Sequence, residues 1–241
     1  MDGFDLGIGI LFPLFKKEGE RNVLMNTVAP VWDGNETWMV LGGAGLYAAF
    51  PLVYSAVLSA LYLPIILMVI FLIFRGVAFE FRFKANRTKY LWDLAFIIGS
   101  TLATFLQGVI LGAYIQGIDI VDGRYVGGGL DWLTPFSLFT GIAVIVAYAS
   151  LACGWLILKT DGDLQERMYA LVKPLIVLLL LMFGAVSLWT PFTHSDIAAR
   201  WFSTPNIYYF GIVPLLVVYC AFRAIRAAQR HEQIAPFVAT L

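Results

Sequence analysis

LVYSAVLSALYLPIILMVIFLIF, residues 52–74, carries no charged side chain before Arg75. About 20 apolar residues in a helix cross a hydrocarbon core of about 30 Å, so this stretch reads as a transmembrane helix, and it extends to a span over Leu52–Phe81. Working outward, five more runs of that kind predict spans at Thr27–Phe50, Leu91–Ile115, Leu133–Leu158, Met168–Trp189 and Ile207–Ala227. Ahead of them Phe4–Phe15 is apolar but too short to cross, and reads as half of a span. The expected fold is therefore all-α: a polytopic transmembrane helix bundle of about six full spans plus one partial N-terminal span. Composition agrees, with 60% hydrophobic and 13% charged residues against roughly 25% charged in soluble domains.

The polar segments alternate in charge. Lys16, Lys17 and Arg21 make a basic loop, whereas the corner at Phe50 and Pro51 has no charge. Arg82, Lys84, Arg87 and Lys89 are basic again, and the loop from Gly117 to Asp131 has one Arg against three Asp. Lys159 and Arg167 follow, then Arg200 alone, then Arg223, Arg226 and Arg230. Basic loops stay in the cytoplasm, so every second loop is assigned there. Overall, 16 basic and 16 acidic residues cancel, which leaves no field for nucleic acid. Gly3 with Gly7, and Gly108 with Gly112, have the spacing that lets helix backbones approach closely. Pro64, Pro174 and Pro214 predict kinks.

Ionisable groups at membrane depth are costly and call for a reason. Asp2 and Asp5 share a helix face, with Asp5 roughly 16 Å from Lys16 along the axis. Asp33 and Glu36 are three apart in the neighbouring antiparallel span, with Asp33 about two turns inside its cytoplasmic end. Asp2, Asp5, Asp33 and Glu36 thus form a candidate ladder for proton transfer; the alternative is that they are structural, paired with Arg75 or bonded to helix ends. Arg75 and Glu80 read as structural charges that snorkel to the cytoplasmic end. His194 and His231 fall in loops, so no span offers an imidazole to haem iron, and Cys153 and Cys220 read as small buried hydrophobes. Gly127 to Gly129 read as turn residues, since no Gly-Lys-Ser/Thr follows.

The stretch Ala-Pro-Val-Trp-Asp-Gly-Asn-Glu-Thr-Trp, Ala29 to Trp38, resembles the signature of subunit II of cytochrome bd-type quinol oxidases. Asp-Gly-Phe-Asp-Leu-Gly, Asp2 to Gly7, and Arg-Gly-Val-Ala-Phe-Glu-Phe-Arg, Arg75 to Arg82, agree in order and spacing. The resemblance covers essentially the whole chain, and the Arg75 stretch looks more like the cyanide-insensitive branch. It implies a respiratory complex of the bacterial cytoplasmic (inner) membrane that oxidises quinol, reduces oxygen to water and generates a proton motive force. Subunit I would carry the quinol site, two b-type haems and one d-type haem. This chain would be its haemless partner, binding no cofactor or metal alone and meeting subunit I, quinol and membrane lipid. The resemblance also puts Asp33 on the proton path and Trp38 beside an oxygen access tunnel. Family members have about nine spans, so residues 1–241 are expected to form a single membrane domain that is a fragment of a longer subunit. The open reading frame is then expected to extend on both sides.

A proton-coupled secondary transporter would also explain carboxyls inside a membrane, but it calls for repeats around a midplane site. The acids here crowd into the first two spans instead. A purely structural membrane partner is the third class.

Overall fold

The computed structural model describes residues 2–193 and 195–241. His194 lies outside the described residues. The chain divides into two compact units, residues 1–152 and 153–241.

The first unit opens with α1 (Gly3–Leu11), which passes through a 3-10 turn (Phe12–Leu14) into α2 (Glu18–Val28). There follow α3 (Trp32–Ala49), α4 (Pro51–Arg82), α5 (Lys89–Gln116), a two-stranded hairpin of β1 (Ile120–Val121) and β2 (Arg124–Tyr125), and most of α6 (Pro135–Lys159). The all-α reading thus gains only this small hairpin. The loop that follows it is ordered by Asp131, whose carboxylate accepts the Gly128 N–H at 2.6 Å and the Tyr125 hydroxyl at 3.0 Å.

Helix α5 is the centre of the unit: α4 and α1 pack along it, and its glycines admit α6. A Cβ at Gly108 or Gly112 would stand 2.7 Å from the Cα of Gly141 or Ser137, so only glycine permits that approach. Gly7 fits α1 against the Tyr148 carbonyl in the same way. Helix α4 bends at Leu61, whose φ of −115° and ψ of 18° leave the helical region one turn before Pro64.

Five described helices are long and apolar enough to cross a membrane: α4, α5, α6, α7 (Gly162–Thr193) and α9 (Asn206–Gln229). The chain is a multi-pass membrane protein. The expected span at Thr27–Phe50 is the exception. Pro30 has no N–H to offer the carbonyl four residues back, and Val31 (φ −123°) breaks the run. Residues 18–28 therefore form α2, and α3 starts only at Trp32, 18 residues long with Asp33, Asn35 and Glu36 in its first turns. Within the first unit the two ends sort by charge as expected. Arg21 and Lys89, from successive basic segments, bind across to Asp93 and Glu18 at one end. The hairpin lies beside Leu52 and Val53 at the other.

In the second unit α7 and α9 pack together, α8 (Ser195–Phe202) bridges them, and α10 (Ala235–Thr240) folds back on α9. Cys153 is buried there and donates its thiol to the Met168 carbonyl at 3.1 Å. Cys220 is half-buried. Pro174 and Pro214 sit inside α7 and α9.

Candidate functional site

Two helices of the first unit bring carboxyls to one guanidinium on a third. Arg75, in the last third of α4, is fully buried. Its Nη1 binds the Glu36 carboxylate from α3, and its Nη2 stands 3.6 Å from Oδ1 of Asp2 at the start of α1. Two aromatic rings hold it from the side. Trp32 and Phe79 stack 4.9 Å apart and nearly parallel, with the Arg75 guanidinium 5.2 and 5.1 Å from their centroids. The expectation that Arg75 snorkels is thus corrected: two inward carboxylates and two rings hold it inside the protein, while Glu80 alone faces out and meets Lys84 at 3.5 Å.

One turn along α1 from Asp2, Asp5 is fully buried and accepts the Asn35 amide at 2.6 Å. Asp2, Asp5 and Glu36 are therefore gathered around Arg75 and Asn35. The gathering is incompletely hydrogen-bonded. Both Asp2 oxygens, Oδ1 of Asp5, and Nε and Nη2 of Arg75 are buried without a hydrogen-bond partner among the described residues. Such groups are costly when charged, and carboxyls relieve that cost by holding a proton.

Asp33 stands apart. Because α3 begins at Trp32, Asp33 lies in its first turn and is exposed, not two turns inside. It is three residues from Glu36, hence about one turn away on the same face. Trp38 is 59% exposed and lines an open pocket of about 450 Å3 together with Asp2, Asn35, Met39, Gln107 and Tyr148.

A second buried arginine is absent from the sequence-derived set. Arg82, two turns beyond Arg75 on α4, is fully buried; its Nε binds Asp93 Oδ1, and its Nη1 donates to Asn22 Oδ1 at 2.6 Å. Asp93 Oδ2 accepts Nη1 of Arg21 at 2.7 Å, and Arg21 Nε donates to the Phe15 carbonyl at 2.7 Å. Phe12 lies 5.2 Å from the Arg21 guanidinium and 5.5 Å from that of Arg82. An aspartate within the apolar run Leu91–Ile115 was the available signal, since a carboxylate at that depth needs a cation.

The described residues do not suit a haem. His231 follows α9 and faces Glu166 at 3.3 Å and the Tyr169 ring, and Cys153 is committed to the Met168 carbonyl. Among the described residues there is no group of three or more His, Cys, Asp and Glu that could hold a metal ion.

The sequence matches the family model described as cytochrome bd terminal oxidase subunit II over residues 1–241. It is 34% identical over 196 residues to the cytochrome bd-I ubiquinol oxidase subunit 2 of Escherichia coli (strain K12), covering 78% of this chain and 52% of that one. With the cytochrome bd ubiquinol oxidase subunit 2 of Bacillus subtilis (strain 168) it shares 34% over 194 residues, 78% of this chain and 57% of the relative. A probable cytochrome oxidase subunit 2 of Haemophilus influenzae is 31% identical over 196 residues, 78% and 52%. The chain spans about half the length of the curated relatives it matches.

Proposed function

This chain belongs to the cytochrome bd terminal oxidase subunit II family, and from that premise we propose that it is the haemless partner of subunit I in a quinol:oxygen oxidoreductase, where it supports assembly and delivers protons. The two b-type haems and the d-type haem belong to subunit I in this reading, and the complex sits in the bacterial inner membrane. There it oxidises quinol, reduces oxygen to water and contributes to the proton motive force. The E. coli and B. subtilis relatives bear the name ubiquinol oxidase subunit 2, which supports quinol as the substrate class. Family membership also speaks against the transporter alternative.

The observation that carries the proton role is the set of buried carboxyls around Arg75. Asp33, exposed at the start of α3, collects a proton from water. Glu36, one turn along, takes it beside the Arg75 guanidinium. Asp5, held in orientation by the Asn35 amide, and then Asp2 carry it onward along α1. Burial favours the neutral, protonated form of these carboxyls, while the Arg75 guanidinium beside them favours the carboxylate that can accept a proton. Glu80, bound to Lys84 on the outer face, takes no part. Trp38 walls the apolar side of the pocket beside Asp2, which supports a role in oxygen access.

Asp33→Asn tests the route, because it preserves shape and removes the exchangeable proton. The complex carrying this chain should assemble with normal haem content, while oxygen consumption with excess quinol falls at least ~10-fold, below the ~100-fold that a positioned proton-transfer group can contribute. Asp33→Glu should recover part of the rate. A parent rate in Asp33→Asn would refute the route, and failure to assemble would make Asp33 structural.

A further inference from the structure

Two charged clusters lie along α4, and aromatic rings lie between them. On α4 the residues Arg75, Phe79 and Arg82 follow at steps of four and three, so they share one face with Phe79 in the middle. The order repeats on α5. Asp93 binds Arg82, Phe96 comes one turn on, and a turn further Gly99 meets the Arg75 backbone, where a Cβ would stand 2.9 Å from its nitrogen. The rings of the middle layer touch in succession. Trp32 of α3 stacks on Phe79, Phe79 meets Phe96 edge to face at 5.2 Å, and Phe96 meets Phe12 edge to face at 5.1 Å. Phe12 and Phe96 are fully buried and Phe79 is 6% exposed. At its two ends the row touches the charges, Trp32 at Arg75 and Phe12 at Arg21 and Arg82. A continuous row of rings thus runs from α3 through α4 and α5 to the turn after α1.

We propose that Phe79 and Phe96 are positioning residues of a dry barrier, which closes the Arg75 carboxyl cluster toward the basic end of the helices so that protons enter it only from α3. The proposal rests on the proton-route reading above. Protons move through a protein along water or titratable groups, and a layer of packed rings offers neither, because an apolar constriction excludes water. The α3 side is the one left open: Asp33 is exposed, and the Glu36 side chain is 22% exposed. The row therefore decides which group takes up the proton without binding one itself.

The test breaches the row in an enzyme whose entrance is already blocked. Asp33→Asn is combined with Phe79→Ser or with Phe96→Ser in the oxidase complex that carries this chain. Charge stands near either gap, Arg75 at the first and Asp93 one turn from the second, so the gap fills with water. Each double variant should keep normal haem content. At saturating quinol it should turn over about threefold or more faster than Asp33→Asn alone, regaining a part of the ~100-fold that a positioned proton-transfer group can contribute. Recovery is partial because two guanidiniums against one carboxylate still repel a proton on that side. Phe79→Leu removes the ring but keeps the site apolar, and with Asp33→Asn it should give no gain. Independent lesions add, so lost packing alone would slow the double variant further. An equal gain from Phe79→Leu would overturn the proposal, since dryness would then not be what matters. No gain from whichever serine variant assembles, beside a slow Asp33→Asn, removes the barrier and keeps the route. Loss of haem in both serine variants would make the rings packing alone and overturn the barrier too. A parent rate in Asp33→Asn removes the route, and the barrier with it.

Discussion

Arg75 and Arg82 are the same residue on the same helix, seven positions or about 10 Å apart, and both are fully buried. What surrounds them differs. Arg82 has Asp93 and Asn22 as hydrogen-bond partners, and Arg21 completes the second oxygen of Asp93, so most of the polar atoms in that cluster are engaged. Two guanidiniums share one carboxylate there, leaving it one charge positive. Arg75 faces two carboxylates, Asp2 and Glu36, with Asp5 beyond, and several oxygens and nitrogens are left without hydrogen bonds. The Arg82 cluster leaves Nη2 of Arg82 without a hydrogen bond among the described residues, but being dominated by arginine it cannot give up its charge, because guanidinium does not deprotonate in proteins. A carboxyl-rich, unsaturated cluster can change its charge by taking up a proton. The first arrangement is a clamp between α2, α4 and α5, and the second has the groups that the proposed proton route calls for.

This difference predicts unequal responses to the loss of a partner. Asp93→Leu leaves Arg21 and Arg82 facing each other without an anion, and breaking a buried pair in that way costs about 3–5 kcal/mol. Little or no assembled complex is expected, measured as haem per membrane protein. Normal assembly would show that Arg82 has another way to be neutralised and would erase the contrast between the clusters.

Arg75→Met is expected to be milder for stability and harsher for turnover. Asp2 and Glu36 lose their cation but discharge by protonation, so the cost is that of unsatisfied polar groups, about 1–3 kcal/mol. The complex should assemble with a lowered melting temperature, and oxygen consumption should fall ~10-fold or more because no acceptor stays ionised. A variant that assembles as poorly as Asp93→Leu would make Arg75 a second clamp.

The comparison also shows how far the sequence could be read. Apolar length alone located α4, α5, α6, α7 and α9, because a membrane imposes helices of that length whatever the details of packing. The spacing of Asp2, Asp5, Asp33 and Glu36 suggested a ladder; the structure brings Asp2, Asp5 and Glu36 together and leaves Asp33 apart, and pairing with Arg75 was among the readings the spacing left open. The break at Pro30 and Val31 was less visible. A proline near a span start is tolerated in many helices, and only the backbone shows that Asp33 belongs to a first turn. Arg82 reads as a loop cation because it sits among Lys84, Arg87 and Lys89. Its burial depends on α2 folding back to bring Arg21 and Asn22 against α4 and α5, contacts 60 and 72 residues apart in the chain that no local pattern encodes.

The smallest effect is expected at the outer margin of the Arg82 cluster, where Glu18 of α2 binds Lys89 at the start of α5. The hydrogen bond and charge of Lys89 hold the Glu18 carboxyl below its ordinary range, with a smaller contribution from Arg82. A carboxyl lowered in the folded state stabilises that state above its unfolded pKa, about 4.3 for glutamate, and loses the contribution as pH falls through the lowered folded value. The tie is therefore complete and constant across neutral pH and fades only in acid. Glu18 is open to water, however, and an exposed pair is screened by salt and offset by the ordering of two long side chains. Glu18→Gln should leave haem content and turnover at the parent values. Its melting temperature at pH 7 should lie slightly below the parent's at low ionic strength, and the gap should close on adding salt or on lowering the pH below about 4. A fall at pH 7 as large as that of Asp93→Leu would show that the clamp extends to the aqueous surface. Burial would then no longer be what separates strong ties from weak ones at this end of the molecule.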